Sequence, residues 1–146
     1  MKKFSEFVVG ESFHSTCSIS NDELEEYIKF SRIRNVFLED KIKEKHQIVS
    51  GRAILSRMEG EFTRLSQIYG NQIIFLGTDG DPSWKNRNTR FLKPFHTDQI
   101  LKLKFTVSEK QNIDDKFGKI VIDYEGSTQD DKLIMISKKN IYRIKK

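Results

Sequence analysis

Ser50-Gly51-Arg52-Ala53-Ile54-Leu55-Ser56-Arg57-Met58-Glu59-Gly60-Glu61-Phe62-Thr63-Arg64-Leu65-Ser66-Gln67-Ile68-Tyr69 is the stretch from which the fold can be read. Ile54, Met58, Phe62, Leu65 and Tyr69 recur at four, four, three and four residues, the spacing that lines one face of an α-helix. A core helix is therefore expected over about residues 51–70, closed by Gly70-Asn71, a pair that tolerates the left-handed conformation at a helix end. At its start a polar, charged stretch gives way to the apolar stripe, so Ser50-Gly51-Arg52 marks the helix N-terminus. Unpaired backbone N–H groups and the aligned peptide dipoles point at the same spot there and can hold developing negative charge.

Downstream the period changes from helical to alternating. Ile73 to Leu76 reads as a short apolar strand, and Gly77-Thr78-Asp79-Gly80-Asp81-Pro82-Ser83 as an exposed loop. Thr89 to Lys93 is a further strand, and Ile100 to Val107 alternates Leu101, Leu103, Phe105 and Val107 with Lys102, Lys104 and Thr106. Lys119 to Glu125 turns Ile120, Ile122 and Tyr124 inward, and Lys132 to Ile144 closes the chain as a long strand with a bulge near Lys138 to Asn140. Upstream, Ser12 to Ile19 reads as a strand. Ser20-Asn21-Asp22-Glu23 then forms a capping box for a helix whose apolar face is Leu24, Tyr27 and Ile28 and whose end lies near Arg32 to Arg34. Phe37 to Lys45, rich in charge and poor in apolar positions, is expected to act as a cover. One long helix followed by a run of antiparallel strands makes an α+β domain with its sheet wrapped around the helix.

With 146 residues the chain suits one domain, large enough to bury a core without disulfides or metals. Its lone cysteine, Cys17, has no internal partner, and Met1 to Glu6 lacks the apolar run of a signal peptide, which makes a cytoplasmic location the default expectation. No apolar stretch approaches the roughly 20 residues that span a bilayer. The net charge of +5, densest at Lys138, Lys139, Arg143, Lys145 and Lys146, invites comparison with nucleic-acid-binding proteins. No nucleic-acid-binding motif accompanies it, and a single alanine beside abundant Lys, Ile, Asn and Phe points to a coding bias that raises lysine everywhere. A basic surface equally suits a phosphorylated cofactor such as coenzyme A.

Four short segments then carry a named resemblance. Phe7-Val8-Val9-Gly10-Glu11-Ser12-Phe13 opens the chain, and Ile48-Val49-Ser50-Gly51 precedes the central helix. Arg90-Phe91-Leu92-Lys93-Pro94-Phe95 is similar to a family "R-F-L-x-P-V", and Asp98-Gln99-Ile100 stands where "G-D-T-L" is usual. In this order and spacing they resemble the MaoC-type acyl dehydratases of the hotdog superfamily, over nearly the full length. The resemblance implies a hotdog fold and a homodimer whose sheets join. It also implies an acyl-CoA or other acyl-thioester ligand held in a tunnel between subunits, with hydration or dehydration of enoyl thioesters as the reaction and no cofactor besides the coenzyme A of the substrate. Gly51, beside Ser50, would hold the thioester carbonyl oxygen on its amide, while an Asp and a His in a motif D-x-N-P-x-H-x-D activate water.

That motif is where the chain departs from the family. With Asn35 on its Asn and Asp40 on its last Asp, Ile33 takes the place of the catalytic Asp, Val36 that of the Pro and Leu38 that of the His. A small gap moves the first position to Arg34 or Val36 and still supplies no carboxylate or imidazole. Neither substitute moves a proton. His46, a few residues before Ser50-Gly51, can be drawn with Asp40 or Glu39 as a relocated pair, although Lys43-Glu44-Lys45-His46 also reads as a solvated loop. His14 reads as a strand-face residue and His96 as a turn residue, and three scattered histidines with one cysteine make no metal-ligand spacing. Around the expected ligand stand Asn35 and Leu38, and Trp84 and Phe95 either line a pocket or pack at a strand end. Arg52, Lys85, Arg87 and Arg90 are cations suited to coenzyme A phosphates or to plain solvent. Two further readings stay open: a non-catalytic subunit paired with an active paralogue, and an acyl-CoA thioesterase.

Overall fold

The computed structural model describes residues 1–34, 45–78 and 88–146. Asn35, Val36, Leu38, Glu39, Asp40, Trp84, Lys85 and Arg87 lie outside the described residues, as do nearly all of the expected cover and most of the 77–83 loop. Ser20 caps the first helix as the sequence predicts: its Oγ accepts from the Glu23 amide at 3.1 Å, and α1 runs Asn21–Ser31 until Arg32 turns left-handed at φ 58°. Six strands follow the chain order expected: β1 Ser12–Cys17, β2 Ile73–Thr78, β3 Thr89–Phe91, β4 Leu101–Asn112, β5 Phe117–Ser127 and β6 Leu133–Lys145.

The strands form one antiparallel sheet in the order β1-β4-β5-β6-β2. β3 pairs with Met135–Ser137 of β6 and β2 with Asn140–Ile144, so both share the β6 edge that β5 leaves free. The central helix, α2, spans Gly51–Arg64 and lays Ala53, Ile54, Met58 and Phe62 on the inner face of the sheet. Phe62 is the hub, its ring centroid 5.5 Å from that of Phe105, 5.8 Å from Tyr124 and 4.9 Å from Tyr142. Burial of one such ring stabilises by about 1.5–3 kcal/mol. The alternation in β4 and β5 falls as predicted, with Leu101, Leu103, Phe105, Val107, Ile120, Ile122 and Tyr124 all buried.

Several boundaries differ from expectation: β1 stops at Cys17 and β3 at Phe91, each two residues early, β2 takes in Gly77 and Thr78 of the expected loop, and the largest differences are at the ends of α2 and β4. The helix ends six residues earlier than the stripe suggested, because Leu65 turns extended at ψ 138° and its amide bonds Phe62 O. The turn that follows, with Ile68 and Tyr69 amides both on Leu65 O, swings Ile68 into the core and leaves Tyr69 75% exposed. Gly70 does take the left-handed conformation, at φ 94°. β4 in turn runs on to Asn112, where the sequence shows no apolar alternation, because a register shift at Ser108 keeps its backbone on the β5 ladder. The bulge expected in β6 is present: Lys138 and Lys139 oppose the single residue Asp123, whose carboxylate accepts from the Lys139 amide at 2.8 Å. A 3-10 turn at Phe4–Glu6 was not legible in the sequence; the Phe4 ring occupies the place a side chain on Gly118 would need. No helix among the described residues is long and apolar enough to cross a membrane.

Candidate functional site

The start of α2 is built by a short extended run. Val49 donates to Phe95 O at 2.8 Å, Ile48 bridges His96, and Gln47 and Thr97 exchange two bonds of 2.9 and 2.8 Å. Val49, Phe95 and Thr97 are buried, so this anchor is rigid by packing as well as by hydrogen bonding. Phe95 is therefore a core residue. Ser50 follows in an extended conformation, and its Oγ accepts from the Ala53 amide at 3.2 Å while its carbonyl accepts from Ile54 at 3.1 Å. The hydroxyl thus acts as a helix cap. The amides of Gly51 and Arg52 have no partner among the described residues, and both lie at the positive end of the helix dipole.

Phe91 closes one side of this helix start. An ideal Cβ on Gly51 would stand 2.3–2.6 Å from three carbons of the Phe91 ring, closer than any two such atoms can approach. Only glycine fits beneath the ring. The register partner of Phe91 is Met135, which is fully buried, so Phe91 belongs to the inner, helix-facing side of β3. Its neighbour Arg90 stands opposite Ile136 and points to the other face of the sheet, which parts it from the Gly51 amide. Arg52 is exposed at the first turn of α2.

His46 has a partner the local sequence did not reveal. Its Nδ1 lies 3.5 Å from Asp98 Oδ2, with both side chains about half exposed. Asp98 adopts the left-handed conformation at φ 66° and donates its amide to Ile19 O, so the pair ties the segment before α2 to the turn after Phe95. His46 lies five positions before Gly51, a path of up to about 16 Å when extended. Asp40 and Glu39, drawn from sequence as partners of His46, lie outside the described residues; among those described, its carboxylate neighbour is Asp98. His14 is exposed on β1 opposite Lys104, and His96 offers its backbone amide to Gln99. The Cys17 thiol is pushed up to about 11, chiefly by burial and then by the Glu61 carboxylate, which keeps it neutral and unreactive.

A second polar cluster lies under α2. The Tyr124 and Tyr142 hydroxyls hydrogen-bond each other, and Tyr142 Oη lies 3.5 Å from Glu59 Oε1. Burial raises the Glu59 carboxyl above its ordinary value, and burial also raises both phenols. Gly51, Leu55 and Glu59 are four residues apart and share one ridge of the helix, with Glu59 about 12 Å from the helix start. Nothing in the sequence brings this cluster together, since Glu59 sits among surface-like charges, Tyr124 reads as one inward position of a strand and Tyr142 falls without distinction inside the last strand. Among the described residues no group of three or more His, Cys, Asp or Glu side chains is placed to hold a metal ion.

This frame is similar to that of several solved structures. An R-hydratase from Pseudomonas aeruginosa matches with a TM-score of 0.67 at 19% identity, covering 97% of this chain and 83% of that one. A MaoC-like dehydratase from Rhodospirillum rubrum matches with a TM-score of 0.67 at 13% identity, covering 97% and 96%. A Mycobacterium tuberculosis protein described as having a double hotdog fold matches with a TM-score of 0.68 at 13% identity, covering 97% of this chain and 42% of that one. The chain has the hotdog fold. No protein-family model and no curated protein matches the sequence, so the likeness is one of structure. Within the hotdog frame, Gly51 opens the helix that the sheet wraps.

Proposed function

We propose that this hotdog protein binds an acyl thioester, coenzyme A being its carrier, with the thioester carbonyl oxygen on the Gly51 amide at the start of α2. The observation that carries the reading is the pair of amides at Gly51 and Arg52, without partners among the described residues and held on a buried anchor in a fold shared with an R-hydratase and a MaoC-like dehydratase. Donors fixed in that way polarise a carbonyl without reorganising, and removal of one such donor lowers turnover by about 10²–10³ where it serves catalysis. Arg52, exposed in the first turn of α2 next to Gly51, and Arg90, on the outer face of β3, are cations suited to the phosphates of such a carrier.

A homodimer fits the same reading. β2 is the terminal strand of the sheet, and Ile74, Phe75 and Leu76 are all 45–56% exposed along it. An edge with no strand partner among the described residues, carrying exposed apolar side chains, is a surface that proteins normally cover.

Hydration requires a base that takes a proton from water as oxygen adds to the β-carbon, and an acid that returns one to the α-carbon. Ile33 and Leu38 stand where the resemblance puts those groups, which favours a second reading, a non-catalytic binding subunit or one that pairs with an active paralogue. Steady-state assay with enoyl-CoA thioesters of several lengths, beside calorimetry with the same ligands, separates the readings. Turnover that disappears in His46→Ala assigns the enzyme reading and its base. Binding without turnover supports the second reading, and absence of binding by any acyl-CoA removes both.

A further inference from the structure

We propose that the outer face of the sheet, the face turned away from α2, binds single-stranded nucleic acid without sequence preference, a role independent of the Gly51 reading. Strand register builds this surface. Gln111 on β4, Lys119 on β5, Arg143 on β6 and Ile74 on β2 stand directly opposite one another in one line across four strands. Their chain neighbours Ile120, Tyr142 and Ile144 are buried on the inner face, so the members of the line point outward. Adjacent members stand about 4.8 Å apart. Lys145, two residues beyond Arg143, is exposed on the same face.

Two cations directly opposite each other on a sheet repel, and an anion laid across them relieves the repulsion. Lys104 and Lys139, elsewhere on the sheet, pair with Glu125 and Glu109, and Lys146 donates to Asp114 O at 2.6 Å. Lys119 and Lys145 have no carboxylate within ion-pair distance among the described residues. Uncompensated positive charge therefore gathers at one end of the face. The basic run near the C-terminus supplies only part of it, since register brings in Lys119 from β5.

Arg143 is held in place. Its guanidinium carbon lies 3.9 Å from the centre of the Phe117 ring, and its Nη2 lies 3.5 Å from Asp114 Oδ2. Asp114 is fixed in turn, its Oδ1 accepting from the amides of Lys116 and Phe117 at 2.8 Å each. A guanidinium with one side against a ring offers its other side to a nucleobase, a stacking contact open to every base. The Arg143 side chain is 37% exposed. With a base stacked there, Lys119, Gln111 and Lys145 stand where the adjoining phosphates pass. An anionic bilayer would use the charges and leave the plane unused, which favours nucleic acid as the occupant.

Fluorescence anisotropy of labelled, unstructured RNA and DNA oligonucleotides with the full chain, read over a series of salt concentrations, tests the proposal. Wild-type binding is expected to weaken with salt at a log–log slope of about −2, the value for three cations on a single strand. Lys119→Gln is expected to reduce the magnitude of that slope by about 0.7. Arg143→Lys keeps the charge and loses the plane, so its slope is expected to stay while affinity falls roughly fivefold or more. Absence of binding to both oligonucleotides at low salt overturns the proposal, as do variants that bind like the wild type. Inorganic polyphosphate bound as tightly as the oligonucleotides also overturns it, because charge alone then accounts for the contact. Vesicles of phosphatidylserine bound where the oligonucleotides are not make the face a membrane surface and overturn it too. Thermal melts followed by circular dichroism check that both variants keep the fold.

Discussion

The Tyr142 hydroxyl lies 3.5 Å from Glu59 Oε1, joining β6 to α2 in the half-buried layer beneath the helix. Burial raises the Glu59 carboxyl, so the folded protein binds that proton more tightly than the unfolded chain does. As pH climbs from the ordinary carboxylate value through the raised one, the folded state loses this advantage, and the contribution of Glu59 to stability falls. Glu59→Gln mimics the neutral form. Its melting temperature relative to wild type is expected to rise as pH climbs above the ordinary carboxylate range, and a difference independent of pH contradicts the assignment.

A methyl group on Gly51 would collide with Phe91. Gly51→Ala is expected to cost about 1–3 kcal/mol in urea unfolding. In the double variant with Phe91→Ala much of that cost disappears, because the obstructing ring is gone. Additive losses in this cycle place the strain elsewhere.

Ser50 caps α2 through its hydroxyl. Ser50→Ala should therefore lower stability by about 1 kcal/mol, or a melting temperature drop of roughly 2–4 °C, whereas Ser50→Asp retains the cap. Equal stability of Ser50→Ala and wild type contradicts the capping role.

Asn140 is buried beside the β6 bulge, its Nδ2 donating to Ile122 O at 3.1 Å and Ser137 O at 3.0 Å. Asn140→Ala leaves those carbonyls without this donor and is expected to destabilise by about 1–3 kcal/mol. Denaturant titration measures it.

The pairing of His46 with Asp98 is exposed on both sides. Asp98→Asn, which keeps a residue tolerant of the left-handed backbone, is expected to change stability by less than about 1 kcal/mol. A larger loss on titration with urea makes the pair a structural clamp.

Much of this architecture was legible because it is local. The Ser20 and Ser50 caps, the apolar alternation of β4 and β5 and the left-handed Gly70 each depend on residues within a few positions of one another. The β6 bulge was legible too, since Lys138, Lys139 and Asn140 interrupt an apolar pattern. Phe4, Ile68 and the far half of β4 were not: Phe4 is held by Gly118, far away in sequence, residues 109–112 follow the β5 ladder rather than any apolar alternation of their own, and Ile68 turns inward only because the helix breaks at Leu65. The surroundings of the helix start were half legible. Gly51 announced itself by position, but nothing near it in the sequence names Phe91, and nothing near His46 names Asp98.

By itself, then, the sequence determined the order of elements, the face that each turns inward, and a helix start at Ser50-Gly51 with amides to spare, since period, capping and dipole are properties of neighbouring residues. Tertiary structure decided what those amides face. A strand forty residues further on lays the Phe91 ring against Gly51, and the register of β3 on β6 turns Arg90 away from it. The ladder of β5 on β6 carries Tyr142 beneath Glu59. Side-chain company of that kind is set by strand register, which no spacing within α2 encodes.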